Sequence, residues 1–297
     1  VVLSMPTVYH FFRDLKMISV SAGVCMLPRM RLLCYNVIRD PHSGTGNAYN
    51  SEPDRRGKEE NSMKHRSRDS AQISGKIIPR YEARLRKHIL QVPPVIRECS
   101  GIVIFGRRIK SVAFTTDLCI VRNMDADAVL AVYPFTPQPV IIQALLLAAD
   151  IPVFAGVGGG LTQGKRVCTL AGYAELQGAA GVVMNAPTGN DVLRQVSHLV
   201  DIPTIITIVN DRTDFRARAE AGADIFNVAA GVDTPELVRK IRRELPEFPL
   251  IATGGPTEES ILETIRAGAN AISWTPPPTA SLFKESMAAY REDKPHP

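Results

Sequence analysis

The residues able to do chemistry in this 297-residue chain stand at the ends of short apolar runs. Asp117 follows IKSVAFTT, Gly158, Gly159 and Gly160 close PVFAGVGGG, and Asn185 follows GVVM. Asn227 lies in IFNVAAG, Thr253, Gly254 and Gly255 close PLIATGG, and Ser273 lies in AISWTP. A carboxylate such as Asp117, in a partly dry cavity, can serve as a general base or bind a substrate hydroxyl. It can equally cap the helix that follows. Asn185 and Asn227 can orient a carbonyl or carboxylate, or bond to loop backbone. Glycine at the end of a run lets backbone N–H groups approach an anion, and a following helix start adds partial positive charge. Thr253-Gly254-Gly255 therefore reads as a phosphate cradle, with a simple tight turn as the competing reading.

Gly159 to Arg166, GGLTQGKR, fits the phosphate-loop pattern G-x-x-x-x-G-K. Arg166 stands where a Ser or Thr must reach magnesium, so nucleotide hydrolysis is set aside. What remains is a second anion-binding turn of Gly158, Gly159 and Gly160 with Lys165, against a solvated Lys-Arg pair opening a surface helix. The histidines, His10, His42, His65, His88, His198 and His296, close none of the runs. This disfavours a histidine triad, a histidine metal cluster and a histidine base. The five cysteines include no C-x-x-C pair, so neither a disulfide framework nor zinc is expected. The expectation is a site without metal or cofactor.

The elements that must position these residues repeat. Eight apolar runs begin near residues 109, 128, 152, 181, 203, 225, 249 and 271, each separated by a helical pattern. Apolar residues on both faces mark buried parallel strands. Gly178, Gly222 and Gly268 fall where left-handed helix caps are wanted, and Thr136-Pro137 and Thr234-Pro235 look like helix starts. The phrases ELQGAAGVVM, RAEAGADIFNV and IRAGANAISW repeat one unit of helix end, turn and strand. An α/β fold follows, a small closed (β/α)8 TIM barrel over residues 109–291 with a tail at 292–297. An open doubly wound sheet is the alternative.

Residues 77–108 are expected to cover the barrel bottom. They hold a helix with Tyr81, Leu85 and Ile89 on one face, ended by Pro93-Pro94, and a hairpin turning at Gly106-Arg107. Residues 1–76 are expected to be disordered or a mis-annotated extension, since 38–76 is polar and Lys58-Glu59-Glu60 resembles a translated ribosome-binding site ahead of Met63. The net charge of +5 belongs to this end: residues 1–78 carry 12 basic and 7 acidic residues, residues 79–297 carry 23 of each. Neither a nucleic-acid nor a membrane partner is indicated, and a cytoplasmic location is expected.

On Thr253-Gly254-Gly255 at the seventh run and IRAGANAI after it, the chain resembles the ribulose-phosphate-binding barrels, especially ketodeoxyphosphogluconate aldolase, across residues 150–290. The resemblance implies phosphate gripped at the seventh strand, with Ser273 close by. It departs from that family in ADIFNVAAG, which lacks the Schiff-base lysine, and in SWTPPPTA, which lacks the second phosphate-holding Gly-Ser. The chain also resembles an uncharacterised bacterial group often labelled as hydrolases. The functional expectation is a metal-independent enzyme of lyase, isomerase or hydrolase type acting on a small phosphorylated or carboxylated metabolite. Asp117, Asn185 and Lys165 would surround the reacting group, and homo-oligomerisation is compatible with this reading. The alternatives are a barrel holding flavin mononucleotide (FMN) and a ligand-binding barrel without catalysis.

Overall fold

The computed structural model describes residues 71–73, 76–79, 81 and 89–296. The expected N-terminal extension and most of the expected covering helix lie outside the described residues. A first hairpin joins β1 (Ala71–Ile73) to β2 (Lys76–Ile78), and a second joins β3 (Ile102–Ile104) to β4 (Arg107–Ile109). The second turns at Phe105-Gly106, one residue earlier than the sequence suggests, with both residues at positive φ. Pro94 opens a 3-10 turn, Pro94–Glu98, that packs on α7 (Glu258–Arg266).

Eight parallel strands then close a barrel. They are β5 (Ser111–Phe114), β6 (Ala128–Ala131), β7 (Val153–Gly158), β8 (Gly181–Met184), β9 (Thr204–Ile208), β10 (Ile225–Val228), β11 (Leu250–Thr253) and β12 (Ala271–Trp274). Closure is direct, because β12 pairs with β5 in the register Ile272↔Ser111. The helices between and after them are α1 (Leu118–Arg122), α2 (Pro139–Ala148), α3 (Lys165–Leu176), α4 (Asn190–Leu199), α5 (Phe215–Glu220), α6 (Thr234–Glu244), α7 and α8 (Thr279–Arg291). The open doubly wound alternative is excluded.

Side chains alternate across each strand. One set, with Val112, Leu130, Phe154, Val183, Ile205, Ile225 and Ile251, fills the barrel interior together with Ile104 and Ile109 of the second hairpin. The other set faces the helices, as in Phe226 and Val228 against Leu237, Val238 and Ile241. Gly178, Gly222 and Gly268 take the left-handed conformation expected after α3, α5 and α7.

The repeated sequence unit has a physical basis at the lower rim. Asp127 accepts from the Ser111 N–H at 2.9 Å, Asp224 from the Thr204 N–H at 2.8 Å, and Asn270 from the Leu250 N–H at 2.9 Å. In each case a side chain just before one strand holds the first residue of the preceding strand. That N–H starts the ladder and would otherwise lack a partner inside the sheet.

Candidate active site at the barrel mouth

Two residues beyond each interior residue lies the position that faces the C-terminal mouth. These positions are Phe114, Val132, Gly156, Asn185, Thr207, Asn227, Thr253 and Ser273. The ring is divided: β5 to β7 contribute apolar or bare positions, and β8 to β12 contribute five uncharged polar ones. The structure thus places Asn185, Asn227, Thr253 and Ser273 on one ring and adds Thr207, whereas the sequence reading grouped Asn185 with Asp117 and Lys165. Thr207 also ends an apolar run; its signal was the two-residue step from Ile205.

Asn227 is only 7% exposed. Its Nδ2 donates to Thr207 Oγ1 at 3.3 Å, while its Oδ1 is buried without a partner. A buried acceptor left unmet costs about 1–3 kcal/mol. A half-turn of the amide exchanges donor and acceptor, so the site can offer either to a bound group.

On the β7 side a cavity of about 200 Å³ is lined by Tyr133, Phe135, Gly156, Gly158, Gly160 and Asn185, among others. The Asn185 amide is half-buried and no protein hydrogen bond engages it among the described residues. Tyr133 accepts the Gln138 N–H at 2.8 Å, which leaves its own O–H to donate elsewhere. Gly158 and Gly159 both have positive φ. Gly159 is close-packed, since a Cβ there would lie 2.7 Å from the Asn185 nitrogen, so it shapes the turn. Gly160 is the open member of the three, with only the Asn185 amide within 4 Å of such an atom.

A second cavity, about 570 Å³, lies beside Gly254, Gly255 and Trp274, against Pro93 and Pro94. The Gly254 N–H already donates to the Ser273 carbonyl at 3.3 Å. A Cβ on Gly254 would come within 2.8 Å of Ile261 and Ile272, so this glycine is fixed by packing before any ligand is considered. Gly255, at φ 83°, makes the turn into α7, whose Thr257 and Ser260 form a reciprocal cap. Glu258 and Glu259 occupy the first turn of α7. Their negative charge satisfies the helix end and opposes an anion there.

The two charged candidates stand elsewhere. Asp117 is the N-cap of α1, accepting from Cys119 N–H at 2.9 Å and Ile120 N–H at 3.4 Å, and its Oδ2 takes the Thr279 N–H at 3.2 Å. Burial raises its pKa, but hydrogen bonds from Thr279, Ile120 and Cys119 outweigh this and hold it below the usual carboxylate value. Lys165 is exposed at the start of α3 and does not line the β7 cavity. Burial pushes the Cys99 thiol up to about 11, which keeps it protonated near neutrality. Among the described residues no helix is long and apolar enough to cross a membrane.

No family model matches the chain, and no curated protein does. Solved structures match across the barrel. One is 2,3-dimethylmalate lyase, a PEP mutase/isocitrate lyase superfamily member, at 15% identity over 67% of this chain and 85% of that one, TM-score 0.49. Another is oxaloacetate acetylhydrolase with its product oxalate, at 13% identity over 67% and 84%, TM-score 0.49. A third is phosphonopyruvate hydrolase with oxalate and Mg++, at 14% identity over 63% and 83%, TM-score 0.47.

At these values the likeness assigns no family, and the barrel rests on its own strand pairing. The resemblance drawn from Thr253-Gly254-Gly255 is corrected to the barrel fold alone, since no family model matches and the Gly254 N–H is already taken by the Ser273 carbonyl. The expectation of no cofactor, with flavin mononucleotide as the alternative, is also corrected, because one matched structure is a complex with Mg++. The residues here do not reproduce a ligand set for such an ion: among the described residues no group of three or more His, Cys, Asp or Glu side chains could hold one.

Proposed function

We propose that this chain is an enzyme that binds a small phosphorylated or carboxylated metabolite at the C-terminal mouth of its barrel. The observation that carries the reading is the polar arc of Asn185, Thr207, Asn227, Thr253 and Ser273, with Asn227 Oδ1 buried and unpartnered. Polar side chains inside a barrel cost stability unless something hydrogen-bonds to them. The mouth formed by the strand ends is where barrels of this class bind their substrates.

Amide and hydroxyl donors suit the oxygens of a carboxylate, a carbonyl or a phosphate, and the Tyr133 hydroxyl and Gly160 backbone extend that set on the β7 side. Polarisation of a substrate carbonyl by Asn185 fits a lyase or hydrolase type of step. Asp117, bound to three backbone N–H groups, is better suited to holding α1 and α8 than to moving a proton. That commitment favours, as a second reading, a barrel that binds the same ligands without turnover. Free cysteines Cys99, Cys119 and Cys168 suit a reducing compartment such as the cytoplasm.

The test is thermal denaturation with inorganic phosphate, oxalate and pyruvate, together with the fluorescence of the chain's single tryptophan, Trp274. At least one of the three should raise the melting temperature at millimolar concentration. Asn185→Ala and Asn227→Ala should each weaken that binding about 10- to 100-fold, the worth of a hydrogen bond to a charged group. No shift with any of them removes the proposal. A shift that survives both substitutions moves the site to the cavity beside Trp274.

A further inference from the structure

The outer ring of helices is charged on its solvent side, with one exception. α6 presents Glu236, Arg239, Lys240 and Arg243, and α7 presents Glu258, Glu259 and Glu263. α2, PVIIQALLLA, has no charged residue at all, yet it buries only Ile142 and Leu145. Val140 is 66% exposed and Leu147 81% exposed. On the adjoining α3, Tyr173 is half-exposed and Leu176 is 85% exposed. Gln143 is the one polar side chain of α2, and an exposed apolar patch of this kind on a monomer marks an interaction site.

The tip of the second hairpin extends the same surface. Phe105 turns the hairpin at φ 47° while 69% exposed. This conformation disfavours bulky side chains, and water disfavours an aromatic ring, so neither local preference explains the residue. The Phe105 ring borders a cavity of about 330 Å³ with Leu146, Ala149, Ile151 and Gly178, where α2 and α3 end. Arg107 and Asp150, of opposite sign, line the same cavity.

We propose that α2, the adjoining face of α3 and the Phe105 tip form the surface through which two copies of this chain associate. A two-fold interface sets a patch against itself, so a single-sign patch would repel its own copy. This one has an uncharged centre, and at its edge Arg107 stands with Asp150, which pairs with Arg122 at 3.2 Å, so no single-sign field opposes a second copy. Two helices, α2 about 15 Å long and its neighbour about 8–10 Å away, give a face at the small end of specific interfaces. Association should therefore depend on concentration, with a dissociation constant on the order of micromolar.

Sedimentation equilibrium of the full chain from about 1 to 200 µM, spanning that range, checks this. The mean mass should rise from 32.5 kDa towards twice that value. The double variant Leu147→Glu/Leu176→Glu should weaken dimerisation at least ~10-fold, by placing like charges against each other. Phe105→Asn should weaken it too, while leaving the melting temperature of the dilute protein unchanged or raised, because Asn tolerates positive φ. Val232→Glu, an exposed apolar residue away from the patch, should leave association within about twofold, as surface changes outside an interface do. A mass that stays monomeric throughout overturns the proposal, as does a dimer indifferent to the double variant. A loss of several degrees in the dilute double variant would place another part of the same chain on this face, which also overturns it.

Discussion

Asp117 illustrates how a residue of chemical promise can be occupied by structure. Its carboxylate caps a five-residue helix and receives the first N–H of α8, so it joins two elements at the top of the barrel. Asp117→Ala should cost about 0.5–2 kcal/mol of stability and Asp117→Asn clearly less, since Asn also caps. The pH dependence has a definite sign. With its pKa held below the ordinary 3.8, the charged form favours the folded state. That contribution is present above the ordinary value and disappears as pH falls through the lowered one. Urea denaturation of both variants from neutral to strongly acid pH should therefore find their gap to the parent shrinking only below about pH 4. A gap constant with pH would refute the assignment. In the sequence Asp117, Asn185, Asn227 and Ser273 were equally visible at the ends of runs. What was not visible was the partner of each side chain: the second Asp117 oxygen taken by α8, Asn227 bonded to Thr207, and Asn185 left without any among the described residues. Such commitments are made between strands and helices far apart in sequence, so composition and spacing do not carry them.

The barrel itself was legible because its repeat has a structural cause. The strands carry β-branched or small apolar residues on both faces, α3, α5 and α7 end at left-handed glycines, and three strands have their first N–H held by a side chain. The last feature accounts for Asp224 and Asn270 in two copies of the repeated unit, and Asp127 does the same before β6, while the copy before β8 has Ala180 there. Asp224 also accepts from the Thr204 hydroxyl at 2.8 Å, a hydroxyl that reaches the Gly222 carbonyl as well, so the Thr204 N–H is the group at the start of β9 that depends on it. Asp224→Ala should lower stability by about 1–3 kcal/mol, the cost of leaving a partly buried donor unmet. Asp224→Asn should recover much of this, since Asn270 performs the same task on β11. Chemical denaturation of the two variants measures the difference, and equal losses would show that charge, not hydrogen bonding, matters there. Helix starts were less legible than strand positions. α2 begins at Pro139 after Gln138, not at Thr136-Pro137, and the Tyr133 hydroxyl, three residues before the expected cap, accepts the Gln138 N–H.

Across the whole molecule the elements contribute unequally. The seven helices that intervene between strands bury apolar faces on the barrel, as α6 does with Leu237, Val238 and Ile241. α8, thirteen residues long, has no buried residue. Its place beside β12 is partly taken by the chain around Pro93 and Pro94, which lines a cavity with Ile261, Ile272 and Trp274. Closure therefore requires β12 to pair with β5 but not α8 to pack over them. Truncation after Pro278 should lower the melting temperature by only a few degrees, a stability change within about 1–2 kcal/mol for a domain of this size. The main loss would be the Thr279 N–H that Asp117 accepts, so truncation and Asp117→Ala should be less than additive when combined. The denaturant slope should stay nearly unchanged, because it scales with the surface exposed on unfolding and α8 buries little of it. A collapse of cooperativity on truncation would mean instead that the barrel needs α8 to close, and that the groove beside Trp274 is an interior seam and not a surface.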